Sequence, residues 1–158
     1  MNRVLALIAV FALLIVYPAC SEKKPPEQAA VKSKSVLSVL RGMNKAYEQK
    51  DLDAFLSDVS ASFPGRASFE KSLAEVFAKY ETVHFTIQYS KMLIMIEEKG
   101  QVKTTFTWEA EWLTKGGGTL KDGGRVTLVF EPSGFKLVSI DGKNPFLAQP
   151  GETPGSKQ

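Results

Sequence analysis

The feature that most restricts the fold is a change of hydrophobic period at Tyr80. Before it, apolar residues recur at three- and four-residue steps in three groups: Val36, Leu40, Met43 and Tyr47; Leu52, Phe55, Leu56 and Val59; Phe69, Leu73, Val76, Phe77 and Tyr80. That spacing places each group on one face of a helix. After it the step is two, because Val83, Phe85, Ile87 and Tyr89 alternate with His84, Thr86, Gln88 and Ser90, the pattern of a half-buried strand. Asp51 is placed to accept hydrogen bonds from the free N–H groups opening the second helix. Phe63-Pro64-Gly65 stops that helix, and Ser68 is the expected N-cap of the third.

Beyond Ser90 the inward positions shift to even numbers, at Met92, Ile94 and Ile96, so a bulge or break is expected near Ser90-Lys91. Glu98-Lys99-Gly100 carries turn chemistry. A long strand follows, with Val102, Thr104, Phe106, Trp108, Ala110 and Trp112 on one face and Lys103, Thr105, Thr107, Glu109 and Glu111 on the other. Gly116-Gly117-Gly118 and Asp122-Gly123-Gly124 read as a loose hairpin connection. Strands over Arg125 to Glu131 and Phe135 to Asp141 complete the pattern, separated by the turn Pro132-Ser133-Gly134. Short connections imply an antiparallel meander. The expected class is therefore α+β, with three N-terminal helices packed on a curved antiparallel sheet of about four strands.

Over Val36 to Leu147 the chain resembles the nuclear transport factor 2 (NTF2)-like superfamily, whose cone packs three helices into the concave face of a curved sheet. The resemblance rests on the segment from Asn44 to Leu56 (NKAYEQKDLDAFL), similar to the family's helix–kink–helix opening, and on the closing strand Leu137-Val138-Ser139-Ile140-Asp141. A cystatin-like sheet around a single helix is the alternative, and the third helical stripe argues against it. The resemblance implies a container shared by dehydratases, isomerases, hydrolases and binding modules. It also implies that an enzymatic member would hold an acid–base Asp or His inside the cone, beside a Tyr or Trp.

The start of the chain has a separate logic. Arg3 precedes thirteen unbroken apolar residues, Val4 to Val16, and Tyr17-Pro18-Ala19-Cys20 follows. At 1.5 Å per residue such a run spans only about 20 Å, short of the roughly 20 residues a bilayer core needs, so it reads as a signal peptide over residues 1–19. Ala19-Cys20 is similar to the lipobox of bacterial lipoproteins, from which Tyr17 and Pro18 depart. Cys20 is the sole cysteine, so an intramolecular disulfide is impossible and lipidation is its expected role. That resemblance implies anchoring in the cell envelope facing the periplasm; Ser21, where an inner-membrane retention signal would carry Asp, favours the outer membrane. Residues 20–34 are expected to be the lipidated Cys and a flexible tether, 35–147 the domain, and 148–158 a disordered tail.

Candidate site residues follow from strand phase. Tyr47, Tyr89, Phe106, Trp108 and Trp112 are expected to converge on the inner surface, filling the cone or lining a pocket for a small apolar ligand. His84 alternates with Val83 and Phe85 and is expected to face outward. Glu109 and Glu111 share the outer face. One His and one Cys offer no transition-metal ligand set, and no catalytic constellation or cofactor motif is read. A formal charge of +3 is too small to argue for nucleic acid. The expected function is a membrane-anchored, non-enzymatic binding or interaction module. The alternatives are a hydrolase or isomerase using the cone, and a homodimeric envelope protein pairing through the outer sheet face.

Overall fold

A computed structural model describes residues 27–148. The expected leader, Cys20, the first part of the tether and the C-terminal tail from residue 149 lie outside the described residues.

Among the described residues three helices come first: α1 (Glu27–Glu48), α2 (Leu52–Ser57) and α3 (Arg66–Lys79). The strands β1 (Tyr80–Ile87), β2 (Leu93–Ile96), β3 (Val102–Thr114), β4 (Thr119–Phe130) and β5 (Leu137–Gly142) follow, with a single 3₁₀ turn at Tyr89–Lys91 between the first two. The class is α+β, helices packed on a curved, unclosed antiparallel sheet of five strands in the order β1-β3-β4-β5, with β2 also pairing β3.

Several boundaries differ from expectation, each for a local reason. Helix α1 starts at Glu27, so eight residues of the expected tether, Glu27 to Lys34, are helical. Its buried residues begin only at Val36, which is where the apolar stripe becomes legible. Asp51 caps α2 as expected, its Oδ1 accepting from Ala54 N at 2.9 Å. The cap of α3 is Gly65 rather than Ser68, with φ at 68° in the left-handed region that glycine occupies at no steric cost. The Arg66 guanidinium then turns back and donates to the carbonyls of Leu56, Val59 and Ser60, satisfying acceptors that the short α2 leaves open.

The break expected near Ser90-Lys91 is present as the 3₁₀ turn, which divides one edge of the sheet into β1 and β2. Asp122-Gly123-Gly124, read as turn, instead lies within β4, and the hairpin turn is confined to Lys115 to Gly118. Gly123 is needed for close approach, and Gly124 is not. A Cβ on Gly123 would sit 3.0 Å from the Trp108 carbonyl oxygen, and one on Gly124 would touch the Trp108 indole at 3.6 Å.

The core lies between the helices and the inner sheet face. The even-numbered residues of β3 from Val102 to Trp112 are buried there, as the alternation required. The sheet edges are treated unequally. On β1 the Phe85 N–H donates to Glu48 Oε1 and the Phe85 carbonyl accepts from Asn44 Nδ2, both from α1, while Lys50 Nζ reaches the Tyr80 carbonyl. On β5, Leu137 exchanges hydrogen bonds with Asp58 and Ser60.

Candidate functional site: the cone interior and its rim

Tyr47 sits at the centre of the interior. Its ring packs against Phe55, Phe77, Phe85 and Phe146, with centroids 5.4 to 6.1 Å apart. Its hydroxyl accepts from Trp112 Nε1 at 2.9 Å and donates to the Phe146 carbonyl at 2.9 Å. Burial pushes the phenol well above its usual range, an effect the Trp112 hydrogen bond opposes and nearby Tyr80 reinforces. A neutral phenol whose donor and acceptor are both engaged is a structural strut, not an acid–base group. Trp108 stacks on Phe85 at 5.9 Å, and Phe106 is buried beside them.

Four of the five aromatic candidates, Tyr47, Phe106, Trp108 and Trp112, therefore face inward and pack among other side chains. The fifth does not. Tyr89 stands on the 3₁₀ turn, 41% exposed, with the Arg41 guanidinium over its ring at 5.7 Å. Strand alternation fails there because β1 ends at Ile87. His84 is exposed on the outward face of β1, opposite Glu111. Glu109 accepts from Gln88 Nε2, and Glu111 pairs with Lys121 at 3.1 Å on the outer face.

Sequence reasoning missed Asp122. It pairs with Ala110 across β3 and β4, which puts its side chain on the inner face, where only 8% of it is exposed. Oδ1 accepts from Lys143 Nζ and from Gly123 N. Oδ2 is buried without a hydrogen bond among the described residues, and so is Trp108 Nε1, the atom that approaches Gly124. The signal was available: Leu120, Asp122, Gly124, Val126, Leu128 and Phe130 keep an even-numbered alternation. The Asp-Gly-Gly turn chemistry masked it.

A separate, shallow groove of about 350 Å³ lies at the rim, between the start of α3 and the end of β5. Phe63, Phe69, Ile140 and Leu147 form its apolar walls, and Ser68, Ser72 and Asn144 provide polar edges. None of the five aromatic candidates lines it. Among the described residues, no three His, Cys, Asp or Glu side chains are grouped to hold a metal ion, and no helix is long and apolar enough to cross a membrane.

No family model matches the sequence, and no curated protein matches it. Solved structures do. An NTF2-like superfamily protein from Salmonella enterica serovar Typhimurium aligns with TM-score 0.59 at 12% identity, covering 79% of this chain and 99% of that one. A candidate dehydratase of the NTF2-like family from Streptomyces avermitilis aligns with TM-score 0.58 at 20% identity, over 71% and 94% of the two chains. A candidate aromatic ring hydroxylase from Novosphingobium aromaticivorans gives 0.60 at 15% identity, over 68% and 84%. At these identities the likeness is one of architecture: the described domain has the same α+β cone fold as these solved structures.

Proposed function

We propose that this protein is a cell-envelope lipoprotein, held on the membrane through a lipidated Cys20 and facing the periplasm, whose NTF2-like domain works by non-covalent binding. The observation that carries the binding reading is the state of the interior. Where an enzyme of this architecture would need an open cavity with free acid–base groups, Tyr47 is locked between Trp112 and Phe146 and ringed by phenylalanines. The rim groove, with apolar walls and three polar edge residues, suits a small apolar ligand carrying one or two polar groups. The anchor rests on the leader and on Cys20 as a sole cysteine, placed where the apolar run ends. One acyl chain holds marginally and two or three hold firmly, which would keep the domain at the membrane surface.

A second reading, catalysis at the Asp122–Lys143 pair, is favoured by the inward carboxylate. Its free Oδ2 is buried, so that reading needs the corner to open to substrate.

Intact-mass analysis of the protein made in a bacterial host tests the anchor. The expected product begins at Cys20 and carries acyl groups, and Cys20→Ala leaves it unprocessed. Recovery of a chain beginning at Met1, or of a bare thiol at position 20, refutes it. Titration with apolar probes, read by NMR shifts at Ser68, Ser72 and Asn144, tests the groove; the absence of any saturable shift refutes that part.

A further inference from the structure

We infer that residues 143–148 are an intrinsic plug of the cone, seated where an aromatic ammonium ligand binds when the segment lifts. These residues follow β5 and belong to no helix or strand, and no backbone–backbone hydrogen bond ties them to another element among the described residues. Side chains and one carbonyl hold them instead. The Phe146 ring is fully buried, its centroid 4.8 to 5.7 Å from those of Phe55, Tyr47 and Phe85. Its carbonyl accepts from the Tyr47 hydroxyl at 2.9 Å, and the Lys143 ammonium pairs with Asp122. The Phe146 N–H is satisfied inside the segment by Asn144 Oδ1 at 3.0 Å, so lifting the segment breaks no sheet or helix hydrogen bond.

Two polar atoms under the segment have no hydrogen bond among the described residues. Trp108 Nε1 and the Lys143 stem each come within 3.6 Å of the Cβ position of Gly124, so Lys143 covers the indole N–H without offering it an acceptor. Asp122 Oδ2, the second oxygen of the carboxylate that Lys143 holds, is buried and unpaired as well. The row Phe85, Ala110 and Asp122 crosses β1, β3 and β4 on the inner face. Phe85 and Asp122 therefore stand two strand spacings, about 10 Å, apart, with the Ala110 methyl between them. Phe146 lies against the Phe85 end of that row and Lys143 against the Asp122 end. A replacement must bring a ring to the first and a cation to the second, because a buried carboxylate stripped of its partner is strongly disfavoured. Neither a neutral nor an anionic aromatic supplies the cation. This site is separate from the rim groove, although Asn144 and Leu147 of the same segment contribute to the groove's wall.

NMR of the full chain tests both halves of the inference. Without ligand, the Phe146 amide and the Trp108 indole N–H should be protected from hydrogen exchange about tenfold less than the backbone amides of Ala110 and Leu128, because a plug opens without global unfolding. Ala110 and Leu128 lie in strands paired on both sides. On titration with 2-phenylethylammonium, the Trp108 indole N–H should shift saturably while Ser68 and Ser72 in the groove stay still. The anion 3-phenylpropionate, similar in length and opposite in charge, should bind about tenfold more weakly. Lys143→Ala removes the competing cation and should tighten the ammonium by about tenfold, and Asp122→Asn should erase the preference for it. The exchange comparison needs neither variant to fold. Equal protection of the Phe146 amide, the Trp108 indole and the sheet amides would overturn the inference. So would the absence of a saturable shift, equal affinity for the two probes, or shifts confined to Ser68 and Ser72, the last of which would leave the groove reading standing.

Discussion

Replacing Tyr47 by Phe isolates one atom at the centre of the domain. The ring and its contacts with Phe55, Phe77, Phe85 and Phe146 are kept, so neither cavity nor overpacking enters. What disappears is a hydroxyl that accepts from Trp112 Nε1 and donates to the Phe146 carbonyl, each at 2.9 Å in a buried setting. Both partners would be left buried and unpaired, and an orphaned buried polar group costs about 1–3 kcal/mol. The penalties are partly offset because the hydroxyl no longer has to be desolvated, so the expected loss is about 2–4 kcal/mol. For a domain of this size 1 kcal/mol corresponds to about 3–5 °C, giving a fall in Tm of about 6–20 °C. Urea and thermal unfolding followed by circular dichroism measure this. Tyr80→Phe is the control, since the Tyr80 hydroxyl makes no hydrogen bond to the described side chains and its removal should be nearly silent. A Tyr47→Phe loss below about 0.5 kcal/mol, the range of ordinary surface changes, would refute the view that this hydroxyl ties β3 to the C-terminal segment.

Two further outcomes follow from local geometry. Burial raises the Asp58 carboxyl above its usual range, an effect that Lys136 opposes; its folded form therefore binds protons more readily than its unfolded form, and its contribution falls as pH rises through the folded pKa. Asp58→Asn should accordingly raise Tm at neutral pH and leave it unchanged below the unfolded carboxylate pKa, and a Tm gain of equal size at both pH values would count against this. Gly123→Ala places a methyl 3.0 Å from a backbone oxygen, whereas Gly124→Ala makes ordinary contacts at 3.6 Å and beyond. The first should be less stable than the second by about 1 kcal/mol in urea unfolding, and equal stabilities would show that β4 shifts freely at this point.

The period change at Tyr80, the Asp51 cap and the strand alternation determined much of this protein locally. Helices before strands, the Asp51 cap, the inward phase of Phe106, Trp108 and Trp112, the outward phase of His84 and the break after Ser90 all follow from side-chain periodicity, which depends on neighbours three or two residues away. What the tertiary structure decided involves partners far apart in sequence. Tyr47 finds Trp112 and Phe146, 65 and 99 residues on, contacts that side-chain periodicity cannot name. Asp122 became an inward carboxylate because β4 extends back to Thr119 against β3, where Gly123 admits the Trp108 backbone; the same Asp-Gly-Gly taken alone is turn chemistry. Edge protection is likewise non-local, since only packing could assign Glu48 and Asn44 to the backbone of β1. Periodicity records which face of an element is buried, but not what that face meets.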